Sequence, residues 1–118
     1  MSILFADTLK NQSGNGPTTL HKQHAAKAWV ANVIHASQTL GDSFNQSSYT
    51  DVGVGRVNIG LTNNMNSSVY SVVCGNAEGG YPYQGFSIDA ATYRVGTVNS
   101  ALNFSDGRNN AAVFGGLA

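Results

Sequence analysis

The sequence predicts an all-β domain, an antiparallel β-sandwich or jelly-roll-like fold. Three observations carry that expectation. Val occurs 11 times against 7 Leu, and β-branched side chains fit a pleated surface better than a helix, where they lose χ1 freedom. Apolar residues alternate with period two in several short runs. Gly, Asn and Ser clusters punctuate those runs at the spacing of a many-stranded antiparallel fold.

Taken in order, residues 1–9 include Ile3, Leu4, Phe5 and Leu9, apolar enough for an edge strand or for packing on a neighbour. Residues 11–17 gather Asn, Gly and Pro, which favour turns through positive or fixed φ, and read as a linker or sharp turn. Residues 18–28 read as a short helix with Thr18 or Thr19 as N-cap and Ala, Lys and Gln as good formers. Residues 1–24 are therefore an N-terminal arm, and residues 25–118 the β domain.

Within that domain Trp29 to Ile34 is the first strand, offering Val30, Val33 and Ile34 to a core. Phe44 and Tyr49 belong to a bent strand pair around Ser47-Ser48. Arg56 to Thr62 alternates, with Val57, Ile59 and Leu61 on one face. A turn at residues 63–67 precedes a strand over residues 68–75 whose two faces, Val69/Ser71/Val73 and Tyr70/Val72/Cys74, are both largely apolar. That pattern predicts burial on both sides. Residues 76–84 read as a Gly- and Tyr-rich loop, residues 85–90 and 92–98 as two strands, residues 103–110 as a polar turn region, and residues 111–115 as a final strand.

The chain has six basic and six acidic residues, and charged residues make up 10% of it, well below the usual share of roughly 25% for soluble domains. A nucleic-acid partner is not expected, because the six cations are scattered and form no patch that could displace counterions from phosphates. No run approaches the ~20 apolar residues of a membrane helix, so membrane insertion is not expected. Cys74 is the single cysteine, which leaves no intrachain disulfide to form. The Met1 segment has no basic n-region followed by a long apolar run, so synthesis in a cytoplasm is expected.

Four stretches occur in a telling order: Lys27-Ala-Trp-Val30, then Ser43-Phe-Asn-Gln-Ser-Ser48, then Thr50-Asp-Val-Gly-Val-Gly55, then the alternating strand from Arg56. Further on come Met65-Asn-Ser-Ser-Val-Tyr70, Tyr93-Arg-Val95, Val98-Asn-Ser100 and the closing Ala111-Ala-Val-Phe-Gly-Gly116. In this order they resemble the C-terminal domain of bacteriophage tail fibres, over roughly residues 25–118. The resemblance implies a small β-sandwich, assembled as a parallel homotrimer about a threefold axis at the tip of a fibre, with host-surface attachment as its role. It implies a virion protein whose partners are a bacterial surface glycan or protein and, through the N-terminal arm, other virion proteins. A head-fibre or decoration protein with assembly contacts only is the alternative reading, and a β-sandwich lectin unrelated to phage a third. Trimer formation also suits a 12.3 kDa chain with few charges, since association can bury surface that a small core leaves uncovered.

The recognition candidates sit in and beside the Tyr-rich loop. Tyr81 and Tyr83 offer flat amphipathic rings for stacking on sugars, with Asn76, Glu78 and Gln84 as hydrogen-bonding groups and Arg108 in the second candidate loop. The competing reading packs both rings on the sheet edge or on a neighbouring subunit. His21 and His24 are three apart and would share a helical face, a spacing compatible with a metal ligand pair; the plainer reading is two exposed linker residues, and no metal or other cofactor is expected. Asp89 and Arg94, on adjacent strands, are candidates for a surface pair, with two solvated residues the preferred reading, and Cys74 is read as inert packing. No paired carboxylates, nucleophile elbow or Ser/His/Asp arrangement is legible, so no enzymatic activity is expected.

Overall fold

A computed structural model describes residues 8, 10, 12–14, 25–34, 37, 41–78 and 81–118, the side chains of Ile34, Ala77 and Glu78 aside. These residues contain eight strands: β1 (Ala28–Ile34), β2 (Ser43–Phe44), β3 (Gln46–Gly53), β4 (Arg56–Leu61), β5 (Ser71–Glu78), β6 (Tyr81–Asp89), β7 (Thr92–Val98) and β8 (Arg108–Phe114). They form two four-stranded sheets, ordered β2-β1-β8-β5 and β3-β4-β7-β6, and every pairing is antiparallel. There is no helix among the described residues. Of the helix expected over residues 18–28, Ala28 opens β1 and residues 25–27 are not helical; the remainder lies outside the described residues, as do the stretches 1–7 and 15–24.

One core serves both sheets. Ala28, Val30, Val33, Ala111 and Val113 come from the first, and Val57, Ile59, Leu61, Tyr93 and Val95 from the second, with Met65 beside them. Strand β4 alternates as its sequence dictates, each of Val57, Ile59 and Leu61 buried and each residue between them part-exposed. In β1 the two buried valines are three apart, which a regular strand would put on opposite faces. A register shift between them resolves this, with Asn32 at φ 56° and its N–H donating to Asn110 Oδ1 at 2.9 Å. Asn tolerates that left-handed conformation better than other non-Gly residues.

The chain passes from the first sheet to the second at Asn45, not at Ser47-Ser48. Asn45 has φ 60°, so β2 ends on β1 and β3 begins on β4 within one residue. Its amide nitrogen donates to the carbonyls of Lys27 (2.9 Å) and Asn63 (3.2 Å), and its Oδ1 accepts the Asn63 N–H at 2.7 Å. The Ser-Phe-Asn word is thus a lock between β1, the β2–β3 corner and the end of β4. The expected bend at Ser47 is only a local register shift within β3.

The Thr-Asp-x-Gly-x-Gly turn has an equally local logic. Asp51 Oδ1 accepts the Gly53 N–H and Asp106 Oδ1 the Gly55 N–H, both at 2.9 Å. Gly55 adopts φ 65°, and a Cβ there would run into the backbone of Ser105 and the Thr97 carbonyl. Only glycine satisfies both demands.

Strand β5 starts at Ser71, three residues later than the sequence pattern suggests, and it is not buried on both faces. It forms an edge of its sheet, with Val73 55% exposed on the outer side and Val72 and Cys74 packed on the core. Its inner side meets β6, the edge of the other sheet: Cys74 Sγ donates to the Gln84 carbonyl at 3.4 Å, and a Cβ at Gly85 would lie 2.6 Å from that sulfur. Burial raises the Cys74 thiol to about 11. Beyond β4, Tyr70 sets its hydroxyl between the carbonyls of Asp89 (2.9 Å) and Thr92 (2.7 Å), clamping the ends of the β6–β7 hairpin.

Candidate functional site

Residues 76–78 and 81–84 are strand rather than loop. Strand β5 runs to Glu78 and β6 starts at Tyr81, so the recognition candidates divide between two sheets. Asn76 and Glu78 lie on β5 opposite Asn109 and Arg108 of β8. Asn76 and Arg108 are exposed there. Tyr81, Tyr83 and Gln84 lie on β6, opposite the far end of β7. His21 and His24 lie outside the described residues. Among the described residues no three His, Cys, Asp or Glu side chains gather as a metal site would require, and no helix is long and apolar enough to cross a membrane.

The β6 group has company on the outer face of the second sheet. Because Val57, Ile59 and Leu61 point inward from β4, Arg56 and Asn58 point outward; because Tyr93 and Val95 point inward from β7, Arg94 and Gly96 point outward. Register then builds two adjacent rows across the face. One runs from Arg56 through Gly96 to Gln84, the other from Asn58 through Arg94 to Phe86.

A register shift between Pro82 and Gln84 leaves Tyr83 as the extra residue of β6. Its ring meets that of Phe104 edge-on, with centroids 5.7 Å apart. Phe104 reaches this position because the segment after β7 folds back, pairing Phe104 with Val98 and sending the Ser105 N–H to the Thr97 carbonyl at 3.2 Å. The Arg56 guanidinium lies over the Phe104 ring at 4.6 Å, and that of Arg94 over Phe86 at 5.6 Å. Arg94 Nε also donates to Asn58 Oδ1 at 2.8 Å. Arg94 is therefore held in a cross-strand stack and is not merely solvated, while Asp89 Oδ1 accepts the Ala91 N–H at 2.8 Å instead of facing Arg94.

Both tyrosines remain available. Tyr81 and Tyr83 are each 58% exposed and Phe86 41%, while Val98 beneath is buried. Arg56 Nε and Gln84 Oε1 are covered atoms without a hydrogen-bond partner. The face combines exposed aromatic surface with the guanidinium groups of Arg56 and Arg94, a pairing suited to a polar molecule with apolar CH faces. Tyr81, Tyr83 and Gln84 were sequence candidates on this face; Arg56, Arg94, Phe86 and Phe104, which the structure places beside them, were not. Strand alternation carried a signal for the two arginines: Arg94 sits between inward-pointing Tyr93 and Val95, and Arg56 directly precedes inward-pointing Val57.

The first sheet presents a different outer face. Phe44, Trp29, Ala112 and Val73 are consecutive register partners across β2, β1, β8 and β5, an apolar row spanning the whole sheet. Trp29 is 37% and Phe44 41% exposed.

No protein-family model, curated protein or solved structure matches the chain.

Proposed function

We propose that residues 25–118 form the β-sandwich tip of a bacteriophage tail fibre, non-enzymatic and homotrimeric, which binds a glycan on the host cell surface. The observation that carries this reading is the exposure of Tyr81 and Tyr83 on edge strand β6 beside Phe86 and Phe104. Sugar rings stack on such surfaces through their CH faces, and Tyr provides that area at little cost in rotamer entropy. The sequence resemblance to fibre tips supplies the biological setting, and the two sheets around one core suit a sandwich.

A second reading, a structural virion protein with assembly contacts only, is favoured by the Phe44–Trp29–Ala112–Val73 row. An apolar row across a whole sheet fits the flank of a subunit packed on its copies. The two readings share a trimer and differ in whether β6 meets a ligand.

A saccharide array probed with the labelled protein tests the proposal. The expected result is binding to a restricted set of bacterial surface glycans, lost on Tyr83→Ser. A protein that light scattering shows to be trimeric but that binds no saccharide or cell surface leaves the assembly reading in its place.

A further inference from the structure

We propose that the outer face of the second sheet recognises an anionic substituent on the saccharide, a carboxylate or a phosphate, through Arg56 and Arg94. The inference rests on the glycan reading above and names the class of sugar.

Arg56 pairs across the strands with Gly96, and Arg94 stands two residues before Gly96 on β7. The two arginines are therefore diagonal neighbours on one face, about 7–8 Å apart by sheet geometry. Each is already held by an aromatic ring, Arg56 by Phe104 and Arg94 by Phe86. Stacking of this kind fixes the guanidinium plane before any ligand arrives, which lowers the ordering cost of binding.

Among the described residues, the partners of these two cations carry no charge. Arg94 meets an aromatic ring and the Asn58 amide oxygen; Arg56 meets an aromatic ring, and its Nε makes no hydrogen bond. With Arg94 Nε committed to Asn58, its two Nη groups remain as an end-on fork, the geometry that carboxylate and phosphate oxygens match.

The nearest acids are engaged with backbone: Asp51 Oδ1 accepts the N–H of Gly53, beside which an Arg56 Nη lies. Asp51 and Asp106 both act on the Tyr49 hydroxyl, adding to the burial that raises it to about 12. Asp106 also accepts the Gly55 N–H, and Asp89 that of Ala91. In a chain with only six cations, two of them share this one face, next to the exposed rings of Tyr83 and Phe86.

The plain alternative is that both stacks merely shield the sheet and the buried Val98. Binding measurements on the full chain separate the two. The probes are oligogalacturonate, the same oligosaccharide with its carboxyl groups reduced to alcohols, and a phosphorylated mannan with its dephosphorylated form. Expected is binding of at least one anionic probe that weakens about tenfold or more in Arg56→Gln and in Arg94→Gln, with Arg94→Lys intermediate and unfolding midpoints near wild type. The same binding should weaken as salt is raised. The uronate and phosphate arms show which anion is read. Equal binding of charged and uncharged forms, unchanged in both Gln variants, overturns the anion inference and leaves glycan recognition standing. Failure to bind any saccharide removes the glycan reading, and this inference with it.

Discussion

Asn45 and Asn63 are tied by a 2.7 Å hydrogen bond from the Asn63 N–H to the Asn45 side chain, and the Asn63 carbonyl accepts from the same amide at 3.2 Å. The pair joins the corner where the chain changes sheets to the end of β4. With the third bond, to the Lys27 carbonyl, one side chain fixes three segments.

Asn45→Ala should therefore lower unfolding stability by about 3–4 kcal/mol, from three lost hydrogen bonds at about 1 kcal/mol each and the strain of a positive φ. Asn45→Gly loses the same three bonds but tolerates the positive φ, and should cost about 1 kcal/mol less than Asn45→Ala. Urea unfolding of the two variants checks the ordering. Equal stability of Asn45→Ala and wild type would contradict the lock.

Gly55→Ala should be among the most damaging single changes outside the core. The added methyl meets the Ser105 and Thr97 backbone at a residue with φ 65°, so the β3–β4 turn must leave the segment that carries Phe104. A loss of about 3 kcal/mol or more is expected. Asp106→Ala, which removes only the cap on the Gly55 N–H, should cost about 1 kcal/mol. Thermal or urea unfolding measures both.

Tyr70→Phe deletes the hydroxyl that bridges the Asp89 and Thr92 carbonyls and should cost about 1 kcal/mol. Amide exchange near Ala90 and Ala91 should accelerate more than exchange in β4, because the clamp acts on the β6–β7 hairpin. Uniform acceleration across the domain would contradict that local role.

Alkaline pH should destabilise the fold. The Cys74 thiol is raised from 9.0 to about 11 by burial, and the Tyr70 hydroxyl from 10.0 to about 12 by burial and then by the Asp89 charge. Burial also pushes the Tyr93 hydroxyl up, against a smaller opposing effect from Gln46. Each group keeps its proton more tightly in the folded state. The resulting stability is fully present below about pH 9 and is lost as pH rises through about 11 to 12. A urea midpoint that stays level to about pH 9 and then falls is expected. Cys74 should react slowly with thiol reagents at neutral pH and quickly after unfolding.

Much of the second sheet was legible because local pattern and tertiary role coincide there. The alternation of Val57, Ile59 and Leu61 is a statement about which face is buried, and the two-residue link at Ala90 and Ala91 separates two runs of strand character. Strand β5 misled because apolar residues on both faces do not reveal whether a strand is central or at an edge; that depends on which strands arrive beside it. Residues 76–84 misled because Gly79, Gly80 and Pro82 are turn formers by local propensity. Pro82 sits in an edge strand, where the missing N–H is tolerated. The Arg56 stack depends on a partner distant in sequence: Phe104 reaches Arg56 only once its segment has folded back along β7. No spacing in the sequence encodes that meeting.

Attachment to cells is the decisive measurement for glycan recognition by β6. Labelled wild-type protein is compared with Tyr83→Ser on a panel of bacteria, before and after periodate oxidation of the surface glycans. Saturable binding to some strains is expected, abolished by periodate and reduced about tenfold or more by Tyr83→Ser at unchanged folding. Binding that survives both treatments, or no binding to any strain by a correctly folded trimer, would contradict a glycan-reading tip.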